Sequence, residues 1–504
     1  MPAFFSRILV ARLTLGASVA VLILHAGAVA AETSMPAMPA PPVVTNTVER
    51  PITNTDALKA ASVAPAVGQD SMAAPAGKTG GLPGRVTLAE AVGIGIVTHP
   101  DYGLNASNRR ATDEELRQAK GLYLPSIDFQ SDFGPEYSDN VSTRGDGDGD
   151  DEETHFRYQA GLTLTQLLFD GLETKYENKR QQARVLSASH RVREAVELGS
   201  LGIVEAYLDV LRQRELLRIS RQNVADHLSI MEQIEDSVTA GRTTQADMEQ
   251  IRARLASARA QEASTREALR VAEASFIREV GDPPADLVMP MVPVDALSAN
   301  LDEEIKVTLH QSPTLDIFEA DIEVAHNEYE GSKSTFYPQA NLQLNARHGE
   351  DLSGVEGEDT SASALVVVNW NLYRGGIDTA RVRETINREA QAKDERAKAA
   401  RQVENEVRNT WARMVSSGER AREFATQAAA NTETVKAYKD QFDLDRRTLL
   451  DVLDAQNELF VSQSNAVNAE FVEMFAIYRL LGLKGELLPS LGVPYPRESF
   501  PAKM

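Results

Sequence analysis

Two stretches of the chain, residues 171 to 238 and 375 to 442, each run for 68 residues without an internal proline, and each begins at a glycine just after a segment of alternating apolar and polar residues. As α-helices they would be roughly 100 Å long at about 1.5 Å per residue, far beyond the usual length in a compact domain. Apolar residues recur at three and four, as in Val204, Tyr207, Leu211 and Val224, Leu228, Met231, the spacing of packed coiled-coil helices. A chain with two such helices cannot wrap them around one ordinary core. It must be elongated, and its helices must pack side by side.

The two helices belong to an internal duplication. Pro100 and Pro125 correspond to Pro313 and Pro338 at an offset of 213 residues, whereas Gly171, Tyr207, Thr244 and Asp247 correspond to Gly375, Trp411, Thr448 and Asp451 at an offset of 204. The difference falls in "RGDGDGDDEE", so one loop grew while the scaffold around it kept its register. Each half reads as a helical segment ending near Pro125 or Pro338, two strands of roughly ten residues, a long helix, a reversal at "TAGRTTQAD" or "FDLDRRTLLD", and a returning helix. The organisation is 1–31 as a signal peptide, 32–85 as a disordered Pro/Ala-rich periplasmic lead-in, 86–282 and 301–488 as the two repeats, 283–300 as a linker and 489–504 as a C-terminal tail.

The strands alternate cleanly. Ile127, Phe129 and Phe133 oppose Asp128, Gln130 and Asp132, and Phe156, Tyr158, Leu162 and Leu164 oppose Arg157, Gln159, Thr163 and Thr165. In the second half Leu342, Leu344 and Ala346 oppose Asn341, Gln343, Asn345 and Arg347, and Ala364, Val366, Val368 and Trp370 follow. One wet face also suits a soluble sandwich, but two distant hairpins make a poor one, and a barrel with lipid outside and water inside accounts for both faces. Four strands cannot close a barrel, so several chains must contribute. The glycines Gly171, Gly375 and Gly376 then mark the junction where a strand leaves the membrane and continues as a helix, a change of direction that favours positive φ.

Composition limits the alternatives. Arg7 and Arg12 precede the apolar run Leu13 to Leu24, and "AGAVAAE" offers small-residue cleavage, the layout of a secretory signal; an uncleaved anchor is the other reading. Removing 1–31 removes two positive charges and takes the net charge from −22 to −24, which argues against nucleic acid as a partner. With no cysteine, disulfides, thiolate metal sites and a cysteine-linked lipid anchor are excluded. No motif for a catalytic nucleophile, phosphate loop or zinc protease occurs, so neither an enzyme nor a cofactor is expected. The acidic loop fails as an EF-hand, because position six from Asp146 is Asp151 and position twelve is Arg157; it reads as a solvated extracellular loop.

The motifs "VTLAEAVGIGIVTHPDY", "LTLTQLLFDG", "LYRGG" and "RTLLDVLDAQNELF", with "FAIYRLLG" after it, resemble those of the TolC family of outer-membrane channels over about residues 86 to 488. The resemblance implies a mainly α fold with transmembrane β: a homotrimer in which twelve strands, four per chain, form one outer-membrane barrel continuous with a periplasmic coiled-coil barrel. It implies a Gram-negative outer membrane, contact with its lipid, a periplasmic adaptor of the membrane-fusion type, and an inner-membrane ABC or RND-type transporter. The C-terminal run is similar to members serving type I secretion of proteins such as adhesins or toxins; drug efflux is the alternative, and a soluble periplasmic coiled-coil adaptor a remote one. By position, the periplasmic gate is Asp454 and Asp451, with Arg447 and Phe442 nearby and Asp247 in the first half. Thr244 with Asp247 and Thr448 with Asp451 also fit a capping pattern that needs no role in transport, whereas Asp454 has no such local partner. Phe442 stands where the family often has tyrosine, and Asp445 where it usually has a glycine.

Overall fold

The computed structural model describes residues 84–139, 153–444 and 446–501. The signal and nearly all of the lead-in, most of the acidic loop and Asp445 lie outside the described residues. In chain order the elements are β1 (Arg85–Val86), α1 (Leu88–Thr98), α2 (Pro100–Gly121), β2 (Ser126–Ser138), β3 (Glu153–Phe169), α3 (Glu173–Thr239), α4 (Gln245–Val280) and β4 (Asp286–Leu287). The second half continues with α5 (Leu301–Gln311), α6 (Pro313–Ser332), β5 (Gln339–Glu350), β6 (Glu358–Asn369), α7 (Ile377–Asp443), α8 (Leu449–Lys484) and α9 (Leu487–Ser490). Helices α3 and α7 are 67 residues each. The first helical segments break at His99 and Ser312, where extended backbone precedes Pro100 and Pro313 and each proline opens a new helix, the position at which its missing N–H costs nothing.

The four long strands form one antiparallel sheet in the order β2-β3-β5-β6, with β2 and β6 at its edges. They run 13, 17, 12 and 12 residues, longer than the ten expected from alternation alone. Pairing continues because ladder hydrogen bonds do not require an apolar face beyond the membrane height. Register places Phe129 opposite Leu162, Leu162 opposite Ala346, and Leu342 opposite Val366, so the alternating apolar residues of the four strands share one face, while Leu167, Leu365 and Val367 fall on the other. That face is open: Phe129 is 69% exposed and Phe133 78%. On the other face Arg157 pairs with Asp132 and Glu136, and Arg347 with Asp359 at 2.7 Å.

The main core lies at the level where α1, α3, α4 and α8 meet, built on Val92, Ile203, Tyr207, Phe276 and Tyr478. Gly95 is required there, since a Cβ would lie 2.4 Å from the Ile203 side chain. The segment expected to be only a linker is part of this core. Its strand β4 pairs in parallel with β1, and the buried Tyr207 hydroxyl lies 2.8 Å from the Val86 carbonyl and 2.5 Å from that of Val288. The expected C-terminal tail also packs, with the Tyr495 hydroxyl donating to Glu197 and lying 2.8 Å from the Gly485 carbonyl. Both departures share one cause. Short irregular segments with a few apolar residues carry no periodicity, and only the three-dimensional core shows where those residues go.

Candidate functional site

The strand-to-helix junction is built from backbone geometry. Gly171 has φ +70° and the next residue, Leu172, φ +72°; the equivalent pair Gly375 and Gly376 has φ +63° and +86°. Three of the four are glycine, the residue that reaches this region without a Cβ penalty. Around Gly171 the packing is tight, because a Cβ would fall 2.7 Å from the Ser334 carbonyl oxygen, whereas Gly375 and Gly376 have open space. Asp170 caps the new helix, accepting from the Thr174 N–H at 2.7 Å.

At the far end of the long helices, each repeat reverses through a few residues into a capping box. Thr244 accepts from the Asp247 N–H while the Asp247 carboxylate accepts from the Thr244 N–H at 3.1 Å and from the Thr243 and Thr244 hydroxyls, both at 2.7 Å. Thr448 and Asp451 repeat the arrangement, with the Thr448 hydroxyl donating at 2.8 Å. These hydrogen bonds, the threonine hydroxyl first among them, hold both carboxyls below the usual carboxylate range.

The structure brings three of the five gate candidates into one cleft. Asp247, Phe442 and Arg447 line a space of about 440 Å³ between the two turns, together with Asp236, Arg242 and Asp443. Phe442 packs against a buried cluster that includes Ile234, Met248, Ile251 and Leu453, so it joins the two hairpins through apolar contact. Arg447 stacks 4.1 Å over the Tyr438 ring, donates to Gln441 at 3.1 Å and lies 3.8 Å from Asp451. Asp454 stands apart, one turn along α8, paired at 3.0 Å with Arg254 of α4. Sequence reading missed Arg254 because its partner is 200 residues away and no periodicity links the two. Among the described residues no group of three or more His, Cys, Asp or Glu is placed to hold a metal ion, and no helix is long and apolar enough to cross a membrane.

A sheet with an apolar outer face, continuous through left-handed glycines with paired helices of 67 residues, defines an outer-membrane channel protein of the TolC-like fold. Solved channels share it. A Pseudomonas aeruginosa membrane protein aligns with TM-score 0.70 at 16% identity over 79% of this chain and 91% of its own, and the Vibrio cholerae outer membrane protein VceC with TM-score 0.66 at 16% identity over 81% and 97%. The family model described as outer membrane efflux protein matches residues 99–281 and 305–471, and the chain belongs to that family. Among its relatives, the outer membrane efflux protein BepC of Brucella suis is 26% identical, covering 81% of this chain and 88% of its own. The alkaline protease secretion protein AprF of Pseudomonas aeruginosa is 23% identical, covering 79% and 84%. The chain is thus an efflux or secretion channel component of a Gram-negative outer membrane.

Proposed function

We propose that this chain is the outer-membrane exit duct of a tripartite type I secretion machine, working as a homotrimer with a periplasmic adaptor and an inner-membrane ABC transporter. The observation that carries the trimer is the four-stranded sheet whose two edges, β2 and β6, have no neighbour among the described residues. In lipid no water satisfies an open edge, so the edges of three copies must meet in one closed barrel of twelve strands. The exposed ring and branched side chains of Phe129, Phe133, Phe156, Val366 and Val368 would face the acyl chains.

The protein cargo is supported by the C-terminal run Arg447 to Phe460 and by the likeness to AprF, named for protease secretion. Efflux of small molecules, through an RND-type transporter, is the second reading, favoured by the likeness to BepC, named an efflux protein. At the periplasmic end, Asp454 and Asp451 would ring the constriction, with Arg447, Phe442 and Asp247 setting how the two hairpins meet, and Gly171, Gly375 and Gly376 would form the barrel-to-tunnel turn. Crosslinking in mild detergent should plateau at three copies; a plateau at two overturns the barrel. A deletion strain should lose a secreted protein while its drug sensitivity stays unchanged. The reverse outcome assigns efflux instead.

A further inference from the structure

We infer that Arg254 sets the ionic selectivity of the constriction by compensating the charge of Asp454. The inference rests on the reading that copies of Asp454 converge on a pore, and goes beyond it by assigning the counter-charge. The Arg254 guanidinium Nη2 lies 3.0 Å from Asp454 Oδ1, and both side chains stay substantially open to solvent, at 41% and 56%. Both are on returning helices: Arg254 is two turns past the Asp247 cap of α4, and Asp454 is one turn past the Asp451 cap of α8. The contact therefore joins the two repeats.

Neighbouring side chains fix the height of α8 at this point. Leu453 is fully buried, and Gln456, 3% exposed, donates to Asp226 of α3 at 2.6 Å. Helix α8 thus cannot turn Asp454 away from α4 without breaking a buried rung. Of the other charged groups nearby, Arg252 pairs with Glu249 at 2.7 Å, Arg447 with Gln441, the Tyr438 ring and, at 3.8 Å, Asp451, and Asp451 also with Thr448, while Glu458, four residues along α8 from Asp454, is exposed.

Two roles for the pair must be weighed. As a latch it is weak, since exposed ion pairs contribute little to stability. As charge compensation it is strong, because helix packing tethers the guanidinium within about a Debye length of roughly 8 Å even when the contact opens. Each of the three Asp454 carboxylates then carries its own cation, each Asp451 has the Arg447 guanidinium 3.8 Å away, and the ring presents local dipoles with little net charge. The pore should discriminate poorly between cations and anions and allow passage of chain segments of either sign.

Planar-bilayer recordings of the purified full-length protein test this, using reversal potentials in a potassium chloride gradient and block by magnesium chloride. Arg254→Gln should make the pore cation-selective and tighten magnesium block by about tenfold, the effect of exposing a carboxylate at about 6 Å to a divalent ion in water-like surroundings. Asp454→Asn should shift selectivity toward anions, the double variant should return close to wild type, and Arg254→Lys, which keeps the charge, should match wild type. If Asp454→Asn alters selectivity while Arg254→Gln leaves it and the block unchanged, the compensation is overturned and the pore position of Asp454 stands. If neither variant moves either readout, the constriction reading fails and takes this inference with it.

Discussion

Helices α3 and α7 have the same length of 67 residues and follow equivalent left-handed glycines, yet they live in different surroundings. Helix α3 is packed by α2, α4, α6 and α8 and buries residues along most of its length, from Thr174 to Ile234. Helix α7 is covered chiefly by α6 and α8 and leaves Ile377, Ile386 and Val415 exposed. At equivalent positions, α3 has the buried Glu197 and Tyr207, whereas α7 has the exposed Arg401 and the half-buried Trp411. Duplication thus preserved the lengths of the long and returning helices and the capping boxes at their reversals but not burial. The first repeat became the anchored one, and the long helix of the second leaves one face uncovered among the described residues.

Four pairs of substitutions probe this asymmetry by thermal or denaturant unfolding. The largest contrast is expected in the core: Tyr207→Ala should cost about 4 kcal/mol, since it opens a cavity and frees two buried carbonyls, and Trp411→Ala about 2 kcal/mol. Equal losses would mean that the second repeat is as firmly anchored as the first. At the junctions, Gly171→Val should cost about 3 kcal/mol from both strain and collision with Ser334, against about 1 kcal/mol for Gly375→Val, where only φ is strained. A larger loss at Gly375 would show that a neighbouring copy fills the space beside it.

Glu197 supplies a contrast in pH. Burial pushes its carboxyl up to about 7, against the partial relief of hydrogen bonds from Tyr495 and the Leu487 and Leu488 backbone. From the ordinary carboxyl value of 4.5 up to about 7 the folded chain holds more protons than the unfolded one, so stability falls as pH rises through that window. Glu197→Gln should flatten the slope and stabilise the protein at pH 8 by on the order of 2 kcal/mol, whereas Arg401→Gln should change neither. A wild-type stability that does not fall between pH 5 and 7 would contradict the burial. The smallest and most even effect belongs to the caps, where Thr244→Ala and Thr448→Ala should each cost about 1 kcal/mol. Unequal costs would show that one turn is held by more than its own hydrogen bonds.

Much of the molecule was legible beforehand because the signals were local or repeated. Freedom from proline and the three-four spacing marked α3 and α7, alternation marked the strands and their common apolar face, and T-x-x-D marked both capping boxes. The duplication then fixed the order of elements, since two copies of each signal had to agree. Chain statistics gave no comparable signal for contacts between distant segments. The Tyr207 hydroxyl between β1 and β4, the Tyr495–Glu197 contact and the Arg254–Asp454 pair each join residues separated by scores to hundreds of positions. Such contacts arise only when helices have docked, because packing and register, and no periodicity along the chain, choose which side chains meet. Residue types and spacing therefore determined which elements form and where they turn; tertiary structure decided which copy of each element is buried, and which charge stands opposite Asp454.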